Sequence, residues 1–205
     1  QAEQLTLTSR AFHNNRLGPY MKFMTNYFGF ERMLPSNTGA EAVEAAIKIT
    51  RKWGYTRKNL PENQAQIIVC KQNFHGRTST IISFSSDPGS KNHFGPHAPG
   101  FLPIPYNDIE ALRNTLAAHP NVAGFLVEPI QGEAGVYTPD SDFLAQARAL
   151  CSEYNVLMIA DEIQTGIGRT GSLLAVCGNC SCEGHCERQE ATYVRPDILI
   201  LGKAL

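Results

Sequence analysis

The chain has 205 residues, with 18 basic against 19 acidic side chains, a formal charge of −1 and 42% hydrophobic residues. This balance gives no electrostatic reason to expect nucleic acid or an anionic membrane surface as a partner, and no apolar run is long enough to span a bilayer. The length allows one large core or two small ones.

Residues 5–14 carry apolar side chains at helical spacing, and Gly18-Pro19 is expected to break that helix. A second helix is expected over 20–28, where Tyr20, Phe23, Met24, Tyr27 and Phe28 form one stripe. After Ser36-Asn37-Thr38-Gly39, apolar residues at Val43, Ala46, Ile47, Thr50 and Trp53 predict a helix that stops near Gly54. Residues 66–70 read as a strand, and 81–84 fit either a helix or a strand. Residues 87–107 are rich in Pro, Gly and His and read as an irregular surface excursion. A helix follows over 108–118, capped by Asn107 or Asp108. Three continuously apolar runs then appear, at 124–128, 156–161 and 198–201, with a helix over 141–154 between the first two. Such runs suit strands buried on both faces of a parallel sheet, so the architecture is α/β. The chain opens on Gln1 rather than Met, without a basic leader or signal peptide, and stops just past an apolar run. Both ends read as cuts in a longer protein.

In open α/β sheets, ligands sit beyond the carboxyl ends of the strands. Glu128, Asp161 and Lys203 all fall there. Any one of them could simply mark the chain's return to water, but three beside glycine-rich turns suggest a site. A carboxylate such as Asp161, at the mouth of a buried strand, can hold a proton on a ring nitrogen. Gln164, a little further on, could bond a ring oxygen or be an ordinary surface amide. A lysine against apolar strand and near a cationic cofactor has a depressed pKa and can form an imine; otherwise Lys203 is a solvated lysine. Thr38 and Glu41 fit a capping box, and Gly39 would let a phosphate approach the helix start. Phe74 could stack on a ring and Arg77 could grip a carboxylate; their plainer roles are core aromatic and exposed charge.

Five motifs then occur in order: Asn37-Thr38-Gly39-Ala40-Glu41-Ala42, Phe74-His75-Gly76-Arg77-Thr78, Val127-Glu128-Pro129-Ile130-Gln131-Gly132-Glu133, Ala160-Asp161-Glu162-Ile163-Gln164-Thr165-Gly166 and Leu201-Gly202-Lys203-Ala204. Together they resemble the class III, fold-type I aminotransferases, which act on ω-amino groups with pyridoxal 5'-phosphate. Within that family the wording is most similar to ornithine aminotransferases, through residues 5–12, 51–55 and 104–108.

The resemblance implies a three-layer α/β/α sandwich with a mainly parallel sheet, all 205 residues belonging to the large cofactor-binding domain. It implies that Lys203 binds the cofactor's aldehyde covalently and that Asp161 pairs with the pyridine nitrogen. Gln164 would contact the ring oxygen, Phe74 would stack on the ring, and Thr38, Gly39 and Ala40 would cradle the phosphate. Arg77 would bind the substrate α-carboxylate, Glu128 would lie by the substrate channel, and Glu133 would pair with an arginine later in the chain. Position 75 is histidine, where an aromatic is expected in many relatives, and that bears on substrate contacts. The implied reaction passes the δ-amino group of ornithine to 2-oxoglutarate in two halves, giving glutamate 5-semialdehyde and glutamate. Acetylornithine and 4-aminobutyrate transaminases are the competing readings. The full enzyme would be a homodimer or larger, in the cytoplasm or the mitochondrial matrix. The segment alone would be inactive and would expose a sheet edge.

Residues 177–194 look like an insertion in this pattern, similar to cysteine-rich versions in fungal members. Cys177, Cys180, Cys182 and Cys186, with His185, have the ligand types of a tetrahedral zinc site, although their spacing is tighter than that of paired knuckles. A reduced loop without metal is the alternative for the insert. For the whole chain, the non-enzymatic alternative is a metal-nucleated interaction module with no use for Lys203.

Overall fold

The computed structural model describes residues 13–177 and 194–205. They fall into two compact units, residues 13–35 and residues 36–177 with 194–205.

In the first unit, helix α1 spans Leu17–Phe28 and buries Met24. The Asn14 side chain accepts the N–H groups of Arg16 and Leu17 at 3.0 and 2.7 Å. Gly18-Pro19 does not separate two helices here, because it lies in the first turn of α1. A proline costs nothing there, since first-turn N–H groups have no intrahelical acceptor. Residues 5–12 of the expected earlier helix lie outside the described residues, and His13 and Asn14 are not helical.

The second unit is built on five parallel strands in the order β2-β1-β3-β4-β5. They are β1 (Gln66–Cys70), β2 (Phe101–Ile104), β3 (Val122–Val127), β4 (Leu157–Asp161) and β5 (Ile198–Ile200). Strand β2 corrects the reading of 87–107 as wholly irregular. It is a short edge strand containing Pro103, which suits an edge because an outward-facing position needs no ladder donor. Short helices α3 (Ser79–Ile82) and α4 (Pro88–Lys91) precede it, so the ambiguous segment 81–84 begins inside a helical turn.

Helix α2 (Gly39–Thr56) packs Val43, Ala46 and Ile47 on Ile67, Val69, Leu126, Ile159 and Ile200. The alternate strand residues Ile68, Phe125 and Met158 face the other way and are equally buried, as the two-residue period of a strand requires. Helix α6 (Phe143–Glu153) packs on β4, and α5 (Ile109–Ala118) packs on α6. Gly54 does not end α2, which runs two residues further. A Cβ there would stand 3.0 Å from the Ala123 Cβ, so this glycine is selected by close helix–sheet packing.

One basic side chain ties the lower end of the sheet together. Lys58 Nζ donates to the Val122 carbonyl at 2.7 Å and to the Tyr154 carbonyl at 3.0 Å. Burial lowers its pKa.

The connectivity sets where a ligand can enter. From β1 the chain moves to β2 on one side, then returns to lay β3 on the other side. The exit loops of β1 and β3 therefore diverge and leave a crevice at their carboxyl ends.

Candidate active site

Helix α2 brings the first wall of this crevice. Thr38 Oγ1 accepts the Glu41 N–H at 3.2 Å, while the Glu41 carboxylate accepts from Thr38 N at 3.0 Å and Asn37 N at 2.8 Å. That is a complete capping box. It leaves the N–H groups of Gly39 and Ala40, which have no intrahelical acceptor, at the positive end of the helix dipole. Both residues line a cavity of about 230 Å³.

The exit loop of β1 supplies Phe74 and His75. The Arg77 guanidinium lies 5.3 Å from the Phe74 ring centre. The Phe74 N–H donates to Glu128 Oε2 at 3.1 Å across the crevice. His75 is buried against Phe84, and its Nδ1 stands 2.6 Å from Asp161 Oδ2. Burial works against a charge on this imidazole. The hydrogen bond and charge of Asp161, joined by the charge of Glu128, outweigh it and leave the pKa above its ordinary value. With a proton on Nδ1, the ring donates to the Asp161 carboxylate. His75 thus lines the cavity and also holds Asp161 through a ring nitrogen.

Beyond β3, Glu128 is 7% exposed. Burial pushes its carboxyl up to about 7; the charges of Asp161 and Glu133 add to the rise, and His75 and the Phe74 N–H oppose it. Asp161, at the end of β4, also accepts the Ile163 N–H at 3.1 Å. The next residue, Glu162, is buried and accepts from the Thr165 hydroxyl and from Val176 N. Burial raises its pKa, against these hydrogen bonds. Its side chain thereby fixes the turn that carries Gln164 and Thr165.

Lys203 follows β5 in a left-handed backbone conformation, φ 50°, which costs a non-glycine residue roughly 1–3 kcal/mol. Its Nζ lies 3.6 Å from Glu133 Oε1, and Gln164 Nε2 reaches the same oxygen at 3.5 Å. The resemblance assigns Glu133 an arginine from later in the chain; among the described residues its cationic neighbour is Lys203. Two glycines bring the lysine loop and the start of α2 together. A Cβ on Gly39 would stand 2.9 Å from Ile163 Cδ1, and one on Gly202 would stand 3.1 Å from Ile163 Cγ2. The Ile163 side chain is thus wedged between the two loops.

The cavity gathers Gly39, Ala40, Phe74, Glu128, Asp161, Gln164 and Lys203. Asp161 and Lys203 share one chamber large enough for a single small ring. Thr38, Arg77 and Glu133 lie outside its lining: Thr38 is committed to the helix cap, Arg77 to the Phe74 ring and Glu133 to Lys203. Sequence reasoning missed His75, Ile130, Ile163 and Thr165 as wall residues. Cys180, Cys182 and Cys186 lie outside the described residues, and Cys177 ends a short 3-10 turn.

A helix N-terminus, an aromatic side chain, a buried carboxylate and a lysine thus meet on one α/β crevice. The chain belongs to the class III aminotransferases, whose family pattern, Aminotransferase class-III, matches residues 1–205. It is 52% identical over 205 residues to the ornithine aminotransferase of Bacillus subtilis, covering 100% of this chain and 47% of that protein. The solved ornithine aminotransferase of Toxoplasma gondii ME49 superposes with a TM-score of 0.91 at 50% identity, over 100% of this chain and 45% of that one. The acetylornithine aminotransferase of Elizabethkingia anophelis is 54% identical over 99% of this chain and 46% of its own, with a TM-score of 0.79. The chain spans about half the length of the curated relatives it matches. Class III aminotransferases use pyridoxal phosphate, and the residues present fit that group: paired N–H groups for a phosphate, a ring platform, an acid for a ring nitrogen and an amine for an aldehyde.

Proposed function

We propose that this chain is the cofactor-binding core of an aminotransferase that moves the δ-amino group of L-ornithine to 2-oxoglutarate, yielding glutamate 5-semialdehyde and glutamate. The observation that carries the reading is the meeting of Asp161 and Lys203 in one small cavity beneath Phe74. When bound, pyridoxal phosphate supplies an aldehyde and an electron-withdrawing ring. Gly39 and Ala40 hold its phosphate through their N–H groups. Asp161, oriented by His75, would hold a proton on the ring nitrogen. Gln164 bonds the ring oxygen, and Phe74 covers one ring face. Lys203 would be the amine that holds the aldehyde, and it stands in the cavity where it could accept and return a proton at the substrate carbon.

Substrate contacts belong to the same reading. Arg77 takes the α-carboxylate once it leaves the Phe74 ring, and Glu133 pairs with an arginine supplied elsewhere in the full-length protein. The working unit is a homodimer, placed in the cytoplasm, with the mitochondrial matrix as the alternative. Ornithine is favoured over N-acetylornithine because curated ornithine aminotransferases match the whole chain at 50–52% identity.

The test uses the full-length protein. Added pyridoxal phosphate should give an imine absorbance band that Lys203→Ala abolishes. With 2-oxoglutarate as acceptor, ornithine should exceed N-acetylornithine and 4-aminobutyrate in kcat/KM by at least about tenfold, which is about 1.4 kcal/mol of transition-state preference. No band in either protein would remove the cofactor reading. A preference for N-acetylornithine would shift the substrate.

A further inference from the structure

Three hydrogen bonds tie the segment after β3 to its neighbours at the mouth of the crevice, two from the loop after β1 and one from the loop after β2. Gln131 Nε2 donates to the Lys71 carbonyl at 2.9 Å, the Tyr106 hydroxyl donates to the Pro129 carbonyl at 2.8 Å, and the Phe74 N–H donates to Glu128 Oε2. Of the three, only the last has a carboxyl as its acceptor, and only the last joins two residues of the cavity wall. The loop carrying Phe74 is held on one side by Asn73 Nδ2, which donates to the Cys70 and Phe84 carbonyls, and on the other by His75 against Asp161, while the Phe74 N–H itself is tied across the crevice by Glu128.

We propose that Glu128 is a positioning residue with a titratable grip: its carboxyl clamps the Phe74 backbone across the crevice, and the clamp tightens when that carboxyl ionises. The physical basis is that a hydrogen bond to a charged acceptor is roughly twice as strong as one to a neutral acceptor. Several groups face Glu128: Cys70 at the end of β1, His75 beyond it, Tyr106 after β2, Asp161 at the end of β4 and Glu133 on its own segment. His75 is the one cation among them. It favours the ionised form of Glu128, while Asp161 and Glu133 disfavour it. The carboxyl therefore changes charge near neutrality, where a modest pH step moves it.

This inference rests on the proposed cofactor reading only in its second readout. The first readout is hydrogen exchange of residues 72–76 in the full-length apoprotein between pH 6 and 8, corrected for intrinsic exchange, with β1 as the internal reference. In the parent protein, protection of the Phe74 amide should rise by about threefold to tenfold across that range. Glu128→Gln keeps an acceptor but cannot ionise, so its protection should stay flat. Glu128→Ala should lose at least about tenfold at pH 8 while β1 is unchanged. A Glu128→Gln profile that follows the parent overturns the proposal, even if Glu128→Ala fails to fold. So does unchanged Phe74 protection in Glu128→Ala. The second readout is pyridoxal phosphate affinity, expected to fall about tenfold in Glu128→Ala. If the parent binds no pyridoxal phosphate, the proposed function fails while the exchange result still decides the role of Glu128.

Discussion

His75 Nδ1 and Asp161 Oδ2 lie 2.6 Å apart, with both side chains withdrawn from water. The imidazole comes from the loop after β1 and the carboxylate from the end of β4, two strands away. Each stabilises the charge of the other, and the pair fixes which way the second Asp161 oxygen, bonded to Ile163 N, faces.

Replacing His75 by Phe keeps the packing against Phe84 but leaves Asp161 without its cation. Residues that orient a ligand-binding group through one hydrogen bond typically cost 10–100-fold when lost. Pyridoxal phosphate affinity of the full-length protein should fall by about that factor, with thermal stability little changed. Asp161→Asn, which removes the charge itself, should lower kcat by about 100-fold or more. Equilibrium binding and steady-state rates measure the two.

The buried Glu128 carboxyl gives a signed pH dependence of stability. Its pKa is raised in the folded state, from 4.5 to about 7, so the folded protein favours the protonated form. The favourable contribution is complete below the unfolded value and is lost as pH rises through about 7. Glu128→Gln should therefore gain on the parent between pH 5 and 8, by up to about 3 kcal/mol at 1.36 kcal/mol per pKa unit. Denaturant unfolding at several pH values checks it; a difference that shrinks over that range would contradict it.

Lys58 joins the start of β3 to the end of α6 at the end of the sheet remote from the cavity. Lys58→Met keeps much of the stem packing but leaves the Val122 and Tyr154 carbonyls without this donor. Stability should drop by about 1–3 kcal/mol, with kcat and KM of the full-length protein unchanged. Urea midpoints and steady-state kinetics separate the two effects.

The Ile163 wedge predicts a compensating pair. Gly39→Ala places a methyl 2.9 Å from Ile163 Cδ1 and should weaken pyridoxal phosphate binding, because the start of α2 must shift. Ile163→Val removes that Cδ1 and should restore most of the affinity in the double variant. A binding double-mutant cycle should show a coupling of about 0.5–3 kcal/mol; additive losses would mean that the wedge does not set the spacing.

The buried strands were readable because nothing else in the chain combines such length with unbroken aliphatic content. Val122–Val127 and Leu157–Asp161 differ from their predicted spans by two residues at most. The edge strand β2 was hidden because Pro103 and flanking glycines resemble a loop when no partner strand is known. Gly54 and Gly18-Pro19 were misread as breaks because punctuation by Gly and Pro depends on position within a helix and on what approaches it. At the site, Asp161, Lys203 and Phe74 could be placed from their motifs at strand ends. His75 could not, since its role depends on a carboxylate 86 residues away. The Thr38 cap was legible in its spacing from Glu41, whereas the packing of Arg77 on the Phe74 ring was invisible without coordinates.

An all-parallel sheet permits no hairpin between neighbours, because every adjacent pair must be joined by a crossover. The five loops that meet at the crevice are thus far apart along the chain, and no local stretch can form even half of the chamber early. Such non-local pairing is slow to assemble. Occupancy of the chamber by a small molecule would consequently report that the whole sheet has closed, and by mass action would hold it closed.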